Sequence, residues 1–105
     1  MKVLVIGHGG REHALVRALR LSPSVSEVHC APGNNGMAQE AICHSIDTKD
    51  FAVVDGLIRR TGVALVVIGP EADLVSGLGD HLRQQGVDVF GASQAAAQLE
   101  GSKIF

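Results

Sequence analysis

The 105-residue chain has no tryptophan, no tyrosine and three phenylalanines. A core without large rings has to be filled by Val, Leu, Ile and Ala, the palette of parallel sheets covered on both faces. Long apolar runs are also missing. None approaches the roughly 20 residues of a membrane span, and the opening run Val3–Ile6 is cut by Gly7, short of the roughly 7 to 15 apolar residues of a secretory signal. Nor is there an excess of one charge. Nine Lys and Arg against eleven Asp and Glu leave a net charge of −2 with the cations dispersed, so no basic field marks a nucleic-acid surface. Neither a nucleic acid nor a membrane is expected as a partner. The two cysteines, Cys30 and Cys43, have no CxxC spacing. They read as a buried pair of free thiols in a reducing compartment, in preference to a disulfide or a metal site, and the expected location is cytoplasmic.

What is present is enough for one domain, with 46% apolar and 19% charged residues and one core burying roughly two-thirds of the unfolded surface. Short apolar runs recur at Val3–Ile6, Val28–Ala31, Ile42–Ile46, Ala64–Ile68 and Val87–Phe90 and read as five strands. Between them, Leu15, Ala18 and Leu19 share one helical face, as do Phe51, Val54, Leu57 and Ile58, and then Leu74, Leu78 and Leu82. Gly62 and Gly86 follow Arg60 and Arg83 as helix stops, and Ser93 is an N-cap for a last short helix through Leu99. This βαβ alternation predicts an α/β, Rossmann-like three-layer domain with a parallel sheet, right-handed crossovers and about four helices. Val3–Ile6 and Ala64–Ile68 are the most continuous runs and belong at the centre. His29, His44, Ser45 and Asp88 interrupt the other three, so the expected strand order is 3-2-1-4-5.

Such a sheet reverses its winding between strands 1 and 4, and ligands settle beyond the carboxyl ends of the strands there. The loops at that point are Gly7-His8-Gly9-Gly10-Arg11-Glu12 and Gly69-Pro70-Glu71-Ala72-Asp73, with Pro32-Gly33-Asn34-Asn35-Gly36 beside them. Glycines let a backbone approach an anion, and the free N–H groups and positive dipole of the following helix face it. Gly7-x-Gly9 begins a dinucleotide fingerprint, but Glu12 stands where the third glycine belongs, and no acidic residue ends the second strand. A sugar monophosphate fits better, with backbone amides near Gly9, Gly10 and Arg11 on the phosphate and carboxylates such as Glu12 and Glu71 accepting ribose hydroxyl or amine protons. The competing structural reading is that the glycines only shape a tight turn, with Arg11 and Glu12 as solvated first-turn charges.

With these loops the sequence resembles the N-terminal domain of the glycinamide ribonucleotide synthetase (phosphoribosylamine glycine ligase) family of the ATP-grasp superfamily. The resemblance spans all 105 residues. It rests on Val5-Ile6-Gly7-x-Gly9-Gly10-Arg11-Glu12-His13-Ala14, Ala31-Pro32-Gly33-Asn34-x-Gly36, Gly69-Pro70-Glu71-Ala72-x-Leu74-Val75, and Phe90-Gly91 through Ala97-Gln98-Leu99-Glu100-Gly101-Ser102-Lys103. His8, Asn35, Asp73 and Ala92-Ser93 depart from the family pattern, and Asp73 adds a negative charge near the expected anion site.

The resemblance implies a pre-ATP-grasp domain over residues 1–100, with 101–105 starting the connection to an ATP-grasp region beyond Phe105, so that the chain is a fragment. It implies a purine-biosynthesis ligase that joins glycine to 5-phosphoribosylamine through an acyl phosphate, giving glycinamide ribonucleotide, ADP and phosphate. ATP and Mg²⁺ or Mn²⁺ would be bound mainly by the later domains. This domain would supply substrate contacts from Gly9, Gly10, Arg11, Glu12, Asn34, Gly69, Pro70 and Glu71, would carry no catalytic residue, and would be inactive alone. Lys103 stands where relatives reach the ATP phosphates, or is a solvated hinge lysine. The alternative from another class is a free-standing nucleotide- or dinucleotide-binding module without catalysis. His8, His13, His29, His44 and His81 show no metal-ligand spacing. His8 stands at the loop as a bystander or a substrate contact, and His29 and His44 read as partly buried sheet residues with no chemistry assigned.

Overall fold

Five parallel strands in the order 3-2-1-4-5 form the frame of the computed structural model, which describes residues 1–69 and 77–91. The elements are β1 (Lys2–Gly7), α1 (Gly10–Leu21), β2 (Glu27–Pro32), a 3₁₀ turn (Met37–Gln39), β3 (Ile42–Cys43), α2 (Phe51–Thr61), β4 (Leu65–Ile68), α3 (Leu78–Gln84) and β5 (Asp88–Gly91). The order and the parallel sense agree with the sequence expectation. Leu74, the helix expected from Ser93 to Leu99, and the loop residues Pro70, Glu71 and Asp73 lie outside the described residues, as does Lys103.

The strands expected at the centre are the ones that pack on both faces. Val3 to Ile6 and Val66 to Ile68 are wholly buried, and the two strands pair from Val3↔Leu65 to Ile6↔Ile68. Because side chains alternate across a strand, Val3 and Val5 join Leu15, Val16, Leu19 and Met37 on the face covered by α1, while Leu4 and Ile6 join Val54, Leu57, Leu78 and Leu82 on the face covered by α2 and α3. Each fully buried aliphatic side chain contributes roughly 1.5 to 3 kcal/mol, which is why a core without tryptophan or tyrosine suffices. Asp50 caps α2 by accepting from the Val53 N–H, and Gly62 ends it in the left-handed conformation with φ 73° after Arg59 and Arg60.

β3 is shorter than the expected Ile42–Ile46. The His44 N–H still donates to the Cys30 carbonyl at 2.8 Å, but the Ile46 N–H then turns back onto the His44 carbonyl at 2.9 Å, so the chain leaves the sheet. A two-residue edge strand offers little for another chain to pair with.

His29, expected to be partly buried, is 4% exposed and sits between two partners, the Glu27 carboxylate and His44. The arrangement is satisfied when His29 Nε2–H donates to Glu27 and the bare Nδ1 accepts from His44 Nε2–H at 2.8 Å. Burial, then the neighbouring charges of His29 and Arg60, hold the His44 imidazole below its ordinary value. The unfolded chain therefore takes up that proton first, so this contribution to stability is complete above the ordinary histidine value of 6.5 and is lost as pH falls below it. Urea midpoints measured at about pH 7.5 and about pH 5.5 should fall further for the natural chain than for His44→Asn, and equal falls would remove His44 from this role.

Candidate functional site

β1 ends at Gly7, whose φ of 144° lies outside what side-chain-bearing residues readily adopt, and the chain turns through His8 and Gly9 into α1. Gly9 occupies the N-cap and brings no side chain to cap the helix. The first bond back to it comes from His13, whose N–H donates to the Gly9 carbonyl at 3.0 Å. The N–H groups of Gly10, Arg11 and Glu12 accordingly have no acceptor among the described residues. A helix that opens without a cap, at its positive dipole end, presents these donors to an anion.

Glu12 is the residue on which three glycines converge. A Cβ placed on Gly7 would lie 2.5 Å from Glu12 Cγ and against the carboxylate. One on Gly9 would lie 3.2 Å from Oε2, and one on Gly69 would press on the carboxylate and stand 3.3 Å from the Ile6 carbonyl oxygen. The side chain thus occupies a niche that exists because the ends of β1 and β4 are bare at these positions. Glu12 stands where a dinucleotide fingerprint has its third glycine, and the missing Cβ atoms of Gly7 and Gly69 are what make room for it. Its carboxylate has no hydrogen-bond partner among the described residues and is half-buried. The niche is held from both sides, because the Gly69 N–H donates to the Ile6 carbonyl at 3.0 Å and the Gly33 N–H to the Gly7 carbonyl at 3.1 Å.

Asn34 joins the loop after β2 to the loop after β1. Its Nδ2 donates to the His8 carbonyl at 2.6 Å, and its Oδ1 accepts from the Met37 N–H at 2.9 Å. The side chain of His8 is exposed, and what it brings to this contact is backbone. Arg11 is exposed and has no ion pair among the described residues. Behind the loop lies a clamp: His13 Nε2 meets Glu40 Oε2 at 2.9 Å, and Arg17 Nε donates to Glu40 Oε1 at 2.9 Å. The Arg17 hydrogen bond chiefly, opposed by burial and aided by His13, keeps the Glu40 carboxyl below its usual range. Sequence reasoning did not single out this clamp. Its only sequence trace is that residues 13 and 17 are one turn apart on a helix, and nothing in the spacing pointed to residue 40.

Of the residues expected in the site, Gly9, Gly10, Arg11, Glu12, Asn34 and Gly69 come together at the carboxyl ends of β1, β2 and β4, where the winding reverses. Pro70, Glu71 and Lys103 lie outside the described residues. A groove of about 350 Å³ lies elsewhere, at the amino ends of β2 and β3, lined by Arg20, Glu27, Gln39, Glu40 and Ile42 among others. Among the described residues no group of three or more His, Cys, Asp or Glu could hold a metal ion, and no helix is long and apolar enough to cross a membrane.

A family model described as "Phosphoribosylglycinamide synthetase, N domain" matches residues 1–100. The chain belongs to this family. Among curated relatives, a phosphoribosylamine–glycine ligase of Streptomyces coelicolor is 57% identical over 105 residues, covering 100% of this chain and 25% of the relative. One of Agrobacterium fabrum is 52% identical over the same spans. A crystal structure of phosphoribosylamine–glycine ligase from Thermotoga maritima superposes with a TM-score of 0.54 at 25% identity, covering 71% of this chain and 17% of that one. This chain therefore corresponds to about a quarter of the length of the curated ligases it matches.

Proposed function

We propose that this chain is the substrate-binding domain of a phosphoribosylamine–glycine ligase and that the crevice at the ends of β1, β2 and β4 holds the ribose phosphate of 5-phosphoribosylamine. The observation that carries this reading is the uncapped start of α1, with three unpartnered N–H groups beside the unpartnered Glu12 carboxylate. An anion satisfies the donors of Gly10, Arg11 and Glu12, and a hydroxyl or amine a few ångströms away satisfies the carboxylate. One phosphorylated sugar supplies both. Asn34 fixes the spacing of the two loops, Gly9 and Gly69 leave room for the ligand and for Glu12, and Pro70 and Glu71, next in sequence after Gly69, are assigned as further substrate contacts. Family membership supports this assignment.

In the complete ligase, ATP phosphorylates the glycine carboxylate and the substrate amine attacks the resulting acyl phosphate. ATP and Mg²⁺ or Mn²⁺ are assigned to domains that follow residue 100, with 101–105 leading into them and Lys103 as a contact to the ATP phosphates. The role of the present residues is to bind and orient, and none of them is assigned a bond-making step. The location that fits such a ligase is the cytoplasm.

Calorimetric titration with ribose 5-phosphate tests the reading. Saturable binding is expected, competed by inorganic phosphate, and Glu12→Gln should weaken it by roughly 1 to 3 kcal/mol, the cost of unpairing a charge-assisted hydrogen bond. An unchanged affinity in Glu12→Gln would take the carboxylate out of the site. Saturable binding of NADH would point instead to a dinucleotide module.

A further inference from the structure

Cys30 and Cys43 are register partners on adjacent strands, and their Sγ atoms lie 2.7 Å apart. They are thirteen positions apart in the chain, and no spacing rule pairs them. Cys30 is completely buried beside Val3, Val5 and Met37, whereas Cys43, on the two-residue edge strand, is partly exposed. Above both stands Gly33, with φ 72°, where a Cβ would fall 2.6 Å from Cys43 Sγ and 2.8 Å from Cys30 Sγ. The two sulfurs are thus the floor of the loop whose next residue, Asn34, holds the His8 carbonyl.

We propose that Cys30 and Cys43 are a modification site, at which a hydroperoxide converts the thiol pair into an intramolecular disulfide that braces the loop from Pro32 to Gly36. The inference goes beyond the ribose-phosphate reading and does not depend on it. The two sulfurs have distinct roles set by exposure. Burial first, then the hydrogen bond with Cys43, pushes the Cys30 thiol up to about 12, so it remains protonated at neutral pH, and the first attack falls to the accessible Cys43. The Cys43 thiolate attacks the terminal peroxide oxygen; the O–O bond breaks, the alcohol (or water) leaves, and Cys43 carries a sulfenic acid. Cys30 Sγ then attacks Cys43 Sγ, the S–O bond breaks, and the departing hydroxide takes the Cys30 proton as water. Two thiols lose two electrons, and one hydroperoxide is reduced to an alcohol and water. The contact between the sulfurs makes the second step effectively unimolecular, which offsets the low thiolate fraction of Cys30. The closed ring spans the segment between the two cysteines, which includes Gly33, Asn34, the 3₁₀ turn and Glu40, so fixing its ends restricts the whole loop.

The test is intact-mass spectrometry after the folded chain is exposed to hydrogen peroxide, denatured and alkylated with N-ethylmaleimide. The expected product is a monomer about 2 Da lighter, with neither cysteine alkylated and full reversal by dithiothreitol. Hydrogen exchange across residues 33 to 40 should be slower in the oxidised form. In Cys43→Ser, Cys30 should stay alkylatable, and in Cys30→Ser, Cys43 should advance to oxygen adducts or intermolecular dimers. Accumulation of oxygen adducts in the natural chain without the lighter species would overturn the proposal, as would disulfides formed only between molecules. Unchanged exchange would overturn the bracing of the loop.

Discussion

Gly7→Ala is expected to destabilise the domain by roughly 2 to 4 kcal/mol, from two sources that can be separated. The first is backbone strain, because φ at Gly7 is 144° and an L side chain at such an angle costs about 1 to 3 kcal/mol. The second is a collision, because the new Cβ would lie 2.5 Å from Glu12 Cγ and drive that side chain out of its niche. Shortening Glu12 to alanine removes the collision and leaves the strain. In a double-mutant cycle on Gly7→Ala and Glu12→Ala, measured by urea unfolding, the pair should therefore be less destabilised than the sum, by about 1 kcal/mol or more. Gly69→Ala gives the contrasting case. Its backbone is not left-handed, and its Cβ would press chiefly on the Glu12 carboxylate, so Glu12→Ala should rescue it almost completely. Strict additivity in both cycles would mean that Glu12 does not occupy the niche.

Truncating Ile6 to alanine should cost about 2 to 5 kcal/mol, a large share of the roughly 5 to 15 kcal/mol that holds a domain of this size. Ile6 is completely buried in the central strand, packs with Ile68, Leu4 and Leu57 on the face covered by α2 and α3, and faces Ile68 across the β1–β4 ladder. A cavity there cannot collapse easily, because both neighbouring strands are pinned by parallel pairing. Ile42→Ala, at a position 48% exposed on the edge strand, is the control and should change the urea midpoint little, within about 0.5 kcal/mol. Similar losses at the two positions would contradict the central placement of β1.

Much of the architecture could be read from the chain because its signals are local and periodic. A strand covered on both faces must be apolar at every position, and Val3–Ile6 and Leu65–Ile68 are; that pattern, with polar interruptions at His29, His44 and Asp88, is enough to order the sheet. Helix stops are legible for the same reason, since Gly62 after Arg59 and Arg60 combines a backbone requirement with a dipole preference. The end of β3 was not legible. Whether the apolar and polar residues from Ile42 to Ile46 stay in the sheet depends on the turn in which the Ile46 N–H bonds the His44 carbonyl, and alternation alone carries no sign of it.

For the site, sequence determined which loops converge and which residue types they carry: glycines and an uncapped helix start at Gly7–Glu12, an amide at Asn34, and a glycine at residue 69 where β4 ends. It also determined family membership, because the ordered motifs extend along the whole chain. Tertiary structure alone decided three things. It put the Glu12 carboxylate into the space left by Gly7 and Gly69, it tied Glu40 to His13 and Arg17, and it brought Cys30 and Cys43 into contact beneath Gly33. The physical reason is common to all three. Periodicity and turn chemistry constrain neighbours along the chain, whereas these contacts join residues 5 to 57 positions apart through strand register and the volume left by absent side chains, which exist only once the sheet is assembled.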